Sequence, residues 1–394
     1  MKKSSLPFSR EIEARNGSLV ELRRDFHKHA ELSFQEHRTA AVIAERIAAA
    51  GLEVRTGIAG PGVVGVLHGD KPGRTVAWRA DIEALPISEA VQLPFASVNE
   101  GVMHACGHDG HTAIAITLAE ILAERRADLP GTVVFIFQPG EEVVSGAKPM
   151  IEAGVLDDPP VECVLGLHLS ARDPVGQVIV RPGPSMASAD FFDVEIKGSG
   201  GHGAFPHLSV DPITVAAHIL IGMQDLITRE ISAQETAVLT VGQVESGNKH
   251  NIIPDTAYLR GTIRTFRQEV RDQLVERLGS FASRIAQAYR AEARLHLTGE
   301  YCPPVDNDVD QTERVRQGAV AEFGEEAVTE GVPIMGSDDM SLFLKERPGC
   351  YFRVGAGFPG EVITHHQAHF RIDEAGLAVG LRLAMRSVLD ALQP

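Results

Sequence analysis

Apolar positions in the first half of the chain follow two alternating patterns. Leu19–Phe26 and Arg38–Ala50 space them at helical intervals, and the second run meets Gly51, a residue that commonly stops helices. Val63–Leu67, Thr75–Trp78, Thr132–Phe137 and Cys163–Leu167 are short, apolar and rich in β-branched residues. Such runs mark strands buried on both faces. Between two of them, Ala113–Arg126 sets Ile114, Leu118, Ile121 and Leu122 at helical spacing. Strand–helix–strand alternation predicts an α/β fold with a mostly parallel sheet covered by helices.

After Arg181-Pro182-Gly183-Pro184 the pattern changes. A strand at Phe191–Ile196 leads to a helix at Pro212–Leu226 and strands at Ala237–Val244 and Ala257–Thr265. A long amphipathic helix, Glu269–Tyr289, and a strand at Ala293–Thr298 complete the series. That is βαββαβ, the order of a ferredoxin-like α+β unit with helices on one face. Beyond Cys302-Pro303-Pro304 the α/β character returns, with a strand at Cys350–Val354 and a terminal helix from Glu374 to about Leu392. The expected organisation is a discontinuous α/β domain, residues 1–185 and 303–394, with an inserted domain at residues 186–302. Hinged at Pro and Gly, that insert could act as a lid.

Charge narrows the partners. With Lys+Arg 37 against Asp+Glu 53, the 394-residue chain carries a net charge of −16. This argues against nucleic acid and anionic membrane surfaces, while leaving a small anionic substrate open. The four cysteines form no Cys-x-x-Cys pair, which fits a reducing, cytoplasmic setting. Charges crowd the first sixteen residues, unlike a signal peptide, and no run approaches the roughly 18–20 apolar residues of a membrane span.

Candidate chemistry follows the strands. Arg79-Ala80-Asp81-Ile82-Glu83 comes after one, Gln138-Pro139-Gly140-Glu141-Glu142 after another, and His168 after a third. Loops beyond the carboxyl ends of parallel strands converge on one crevice. Cys106-Gly107-His108-Asp109-Gly110-His111 is the densest cluster, with thiol, imidazole and carboxylate around flexible glycines. The same six residues could instead be a helix-capping loop. Taken singly, Glu141-Glu142 reads as solvated, and His168 and His365-His366 as ordinary histidines. Together they offer ligands for two divalent ions and a second Glu as proton carrier. In the insert, His202 lies in a glycine-rich turn, Asn251 precedes Ile252-Ile253-Pro254, and Arg264 lies near a strand end. His202 and Arg264 are candidates to close over a bound carboxylate.

The runs Leu22–His27, Arg79-Ala80-Asp81, Ala84–Ile87 and Met103–His111 resemble the M20 metallopeptidase family. The branch is that of hippurate hydrolases, N-acyl-amino-acid amidohydrolases and auxin-conjugate hydrolases. Gln138–Glu142, Gly166-Leu167-His168, Gly201–Ala204, Asn251–Pro254, Gly261–Phe266 and Gly336-Ser337-Asp338-Asp339 continue the likeness in order. The resemblance implies that Cys106, His108, Glu142, His168 and His366 are the metal ligands, with Glu141 as general base; by donor chemistry, Cys and His suit two divalent ions of Zn, with Mn, Co or Ni as alternatives. His366 is preferred to His365 because it keeps the family's spacing to an aromatic residue, here Phe370. The resemblance further implies an N-acyl-amino acid as substrate, His202 and Asn251 as substrate-binding residues, and a homodimer formed through the lid. Glu83 departs from the branch's usual Asp, Asp338 from a common Glu, and Ala30 and Ala368 from common prolines.

Overall fold

The apolar runs pair into the core of one sheet. A computed structural model describes Leu6 and residues 8–393. In chain order the longer strands are β1 (Glu53–Ile58), β2 (Gly62–His68), β3 (Lys71–Asp81), β4 (Pro130–Gln138) and β5 (Cys163–Pro174). Then come β6 (Ala189–Lys197), β7 (Ala237–Ser246), β8 (Thr256–Thr265), β9 (Glu292–Cys302) and β10 (Gly349–Gly357). The principal helices are α1 (Ser9–Lys28), α2 (His37–Ala49), α3 (His108–Glu124), α4 (Pro212–Gly222), α5 (Gln268–Ala288), α6 (Val309–Phe323) and α7 (Ala375–Ala391).

The chain divides into two units: one reaching to Gly183 and including Val305–Val332 and the chain from Asp338, the other Pro184–Pro304 with Pro333–Ser337. In the first unit the eight-stranded sheet runs β1-β2-β4-β3-β5-β10 and ends in two short strands, Val178–Ile179 and Val328–Thr329. β3 lies parallel to β4 and β5, and β5 parallel to β10, so Trp78 sits opposite Phe135 on one side and Leu165 on the other. Parallel strands are buried on both faces, which is why these read as unbroken apolar runs. α1, α2, α3 and α7 contribute Phe26, Ile43, Ile114, Leu118 and Leu381 to the same core.

Three details differ from the sequence reading. β2 is antiparallel to both neighbours, because a tight turn through Ala59 and Gly60, both with positive φ, folds it back along β1. β1 carries no apolar pattern in the sequence because it is an edge strand with no buried residue. β5 runs past His168 to Pro174, pairing as far as Gly357 of β10.

The second unit is a four-stranded antiparallel sheet, β7-β8-β6-β9. Alternate residues Phe192, Val194 and Ile196 of β6 join Leu259 and Ile263 of β8 in a core closed by α4 and α5 through Ile219, Leu274 and Leu278. The βαββαβ order is the expected one. Among the described residues no helix is long and apolar enough to cross a membrane.

Candidate metal centre

α3 begins at His108, five residues earlier than the apolar pattern suggested. Gly107 stands before it at φ +102, a backbone state open to glycine at little cost. The bend gathers Cys106, His108 and His111 between the carboxyl end of β3 and the His168-Leu169 stretch of β5. His108 donates from Nδ1 to the Glu83 carbonyl (3.0 Å), which leaves its buried Nε2 with no hydrogen-bond partner. His168 donates from Nδ1 to the Leu169 carbonyl (2.8 Å) and turns Nε2 toward Cys106 Sγ at 3.5 Å. A histidine whose one N–H is anchored to a carbonyl presents its other nitrogen as a lone pair.

The Glu141-Glu142 loop supplies the other side. Glu142 Oε1 lies 3.0 Å from His366 Nε2 and 3.9 Å from His108 Nε2, yet it is buried without a hydrogen bond. Ligand atoms of Cys106, His108 and His168 lie within 4.8 Å of one another, and so do those of Cys106, Glu142 and His366. Cys106 belongs to both sets. Unpartnered buried donors and acceptors are costly, and converging lone pairs of thiol, imidazole and carboxylate are relieved by a cation. The donor set therefore fits divalent ions.

Neighbouring histidines are otherwise engaged. His111 donates from Nδ1 to Asp81 Oδ1 (2.6 Å) and receives the Leu169 N–H at Nε2 (2.9 Å). His365 donates from Nδ1 to the Cys106 carbonyl (3.2 Å) and receives the Ala171 N–H at Nε2 (3.4 Å). His366, at φ +61, is held through its backbone N–H by the Ala105 carbonyl and turns its ring to Glu142. Asp109 is held by Arg23 (2.7 Å) and His27 (2.8 Å), so it fastens α1 to α3 and faces no ligand cluster.

Behind the ligands lies an acidic layer around one guanidinium. Arg79 reaches Asp81 Oδ2 (2.7 Å), Asp339 Oδ1 (2.9 Å), Asp338 Oδ1 (3.3 Å) and Gln138 Oε1 (2.8 Å), all buried. Glu141, Asp338 and Asp339 bring carboxylate oxygens within 4.8 Å of one another. Burial, reinforced by the charges of Asp338, Glu142, Asp339 and Glu83, pushes the Glu141 carboxyl well above the usual range. Against burial, His108, His111 and Arg79 hold Asp81 well below it. The role of Asp338-Asp339 was invisible in the sequence, because about 200 residues separate them from Glu141 and only the fold joins them.

Glu83 accepts the Glu142 N–H at 2.7 Å and adjoins a second buried acid. Glu36, at the N-terminus of α2, is fully buried with neither carboxylate oxygen hydrogen-bonded. Burial, with the charge of Glu83, pushes its pKa from 4.5 up to about 8. Between those values the folded chain holds a proton that the unfolded chain releases, so this contribution to stability falls as pH rises. Glu36→Gln removes it. The variant should gain on wild type between pH 5 and pH 8, by up to about 1.4 kcal/mol per pH unit. Urea unfolding at several pH values checks this, and a pH-independent difference would show Glu36 already ionised in the fold.

In the second unit, His202 and Asn251 meet at a short antiparallel ladder between distant segments: His202 pairs with Ile252, and the Gly203 N–H donates to the Asn251 carbonyl at 2.9 Å. Arg264, half-buried, donates to Ser337 Oγ at 2.8 Å and has no carboxylate in ion-pairing range among the described residues.

The fold and the ligand set define a metal-dependent hydrolase. The model for Peptidase family M20/M25/M40 matches residues 77–390, and the chain belongs to that family. It is 42% identical over 368 residues to the N-acetylcysteine deacetylase of Bacillus subtilis (strain 168), covering 92% of this chain and 93% of that protein. To thermostable carboxypeptidase 1 of Saccharolobus solfataricus it is 37% identical, covering 92% of each. The crystal structure of Bacillus subtilis YXEP, described as a dinuclear metal binding peptidase from the M20 family, superposes with a TM-score of 0.84 at 36% identity. That match covers 96% of this chain and 99% of the other.

Proposed function

We propose that this protein hydrolyses the amide bond of N-acyl-amino acids to a carboxylic acid and a free amino acid. The observation that carries the proposal is the pair of ligand triads sharing Cys106, with Glu141 beside them as a carboxylate neither triad uses. Cys106, His108, Glu142, His168 and His366 would hold two divalent ions. When bound, such ions supply Lewis-acid activation of the acyl carbonyl and of water.

The chain's own residues manage the proton. Glu141 takes it from the attacking water as the C–O bond forms, holds it on its carboxylate, and returns it to the amine nitrogen as the C–N bond breaks. The buried acids around Glu141 make its carboxylate a stronger base than an exposed one. His202, Asn251 and Arg264 are assigned to the substrate; an under-neutralised guanidinium suits the amino acid's carboxylate. Thiol and imidazole donors suit Zn²⁺, with Mn²⁺, Co²⁺ and Ni²⁺ as the alternatives. Four buried cysteines, none in a disulfide, support a cytoplasmic setting, and the homodimer through the inserted domain is carried over from the family resemblance.

The deacetylase relative favours an acyl amino acid, and the carboxypeptidase relative favours a second reading, a peptide substrate on the same site. Reconstitution with each metal, followed by assay of N-acetyl-amino acids, N-benzoyl-amino acids and dipeptides, separates them. The acyl amino acids should lead in kcat/KM by about tenfold or more, since each 1.4 kcal/mol of transition-state discrimination is worth that factor. A dipeptide preference would sink the first reading.

A further inference from the structure

We infer that Phe34, on the loop between α1 and α2, is a positioning residue that holds the Glu141-Glu142 loop in its working shape. The inference rests on the roles proposed for those two carboxylates. Phe34 stands at φ +62, a backbone state that bulky residues rarely adopt, and it is 38% exposed. Core burial therefore does not explain the conformation. What the conformation achieves is a seat for the ring between two glycines. A Cβ on Gly140 would lie 2.6 Å from Phe34 Cζ and 2.8 Å from Cε2; one on Gly60 would lie 3.6 Å from Cδ1. Gly140, itself at φ +68, is bonded directly to Glu141.

Both sides of this contact are anchored. The Glu31 carboxylate accepts the N–H groups of Arg38 (3.0 Å) and Thr39 (2.8 Å) and the Thr39 hydroxyl (2.9 Å). The Glu31 carbonyl accepts the Ala84 N–H at 2.7 Å, and the Gln35 N–H donates to the Leu32 carbonyl at 2.8 Å. Phe34 is thus carried on a loop fixed to α2 and to the segment after β3. Across from it the carboxylate loop closes on itself, Val144 N–H to the Glu141 carbonyl (2.8 Å) and Ser145 N–H to the Gly140 carbonyl (3.1 Å). With the ring on its back, that turn has one seat; without it, Gly140 keeps only its hydrogen bonds, and the turn carrying both acids gains room to shift.

Phe34→Asn tests this, because Asn removes the ring and tolerates the left-handed backbone, so folding is spared. Phe34→Leu keeps apolar cover over Gly140. Hydrogen exchange of residues 139–146, in metal-free and metal-reconstituted protein, should speed up about tenfold in the Asn variant and little in the Leu variant. On the acyl amino acid that wild type cleaves best, kcat should fall about 10–100-fold in the Asn variant, with KM nearly unchanged and the melting temperature not lowered. Unchanged exchange would overturn the inference. A raised KM with kcat intact would also overturn it, making the ring a substrate contact. If wild type cleaves no acyl amino acid yet the Asn variant exchanges faster, the clamp stands and the proposed activity falls.

Discussion

Glu141→Gln should lower kcat by about 10²–10⁴-fold, the usual share of a general base, while metal content and fold stay at wild type. The substitution preserves size and shape but gives an amide that cannot take a proton at neutral pH. It also leaves both ligand triads whole, since Glu141 is in neither. Its Oε2 lies 3.9 Å from His108 Nε2, close enough to serve the same reaction centre and without hydrogen-bond geometry to it. Replacing a carboxylate that faces Asp338, Asp339, Glu142 and Glu83 by a neutral group relieves like-charge crowding, so the variant should unfold no earlier than wild type. Elemental analysis, thermal unfolding and single-turnover kinetics on one sample make the separation. A variant keeping more than about a tenth of wild-type kcat would remove Glu141 from the proton path.

Much of this architecture was legible beforehand because its signals are local. The parallel strands announce themselves through β-branched runs such as Thr132–Phe137, whose residues are buried on both faces. The inserted unit is equally readable, since alternation in β6 and helical spacing in α5 each point one apolar face inward. β1 is silent for the complementary reason: an edge strand with no buried position carries no apolar signature. At the site, Cys106–His111 could be seen as chemistry because six residues hold three ligand types. Their division of labour could not. His111 differs from His108 only in what its ring nitrogens meet, Asp81 and the Leu169 amide, and those partners come from other strands. The same holds for Asp338-Asp339, which acquire meaning only where Arg79 and Glu141 reach them, and for Phe34, whose seat depends on a glycine about a hundred residues away.

Cys106→Ala should lose metal and activity together, the opposite signature to Glu141→Gln. Partners one step removed from a metal cost about 10–100-fold in affinity, so a ligand shared by both triads should cost more than about 100-fold. The thiol is the softest donor of the centre and must shed its proton to bind. Titrating metal into chelator-treated wild type in weak buffer should therefore release a proton that the Ala variant does not release. The other three cysteines, Cys163, Cys302 and Cys350, are buried, in no disulfide and outside every ligand cluster, so their alanine variants should keep full occupancy. The adjacent histidines supply an internal check. His366→Ala removes a nitrogen facing Glu142 and should cost metal. His365→Ala removes a ring that braces the Cys106 carbonyl and the Ala171 amide and packs edge-on against His168, but is in neither triad, so it should cost less metal than His366→Ala. Full metal occupancy in the Cys106→Ala protein, measured by elemental analysis after exhaustive dialysis, would refute the two-triad centre, because no other described side chain joins the two sets.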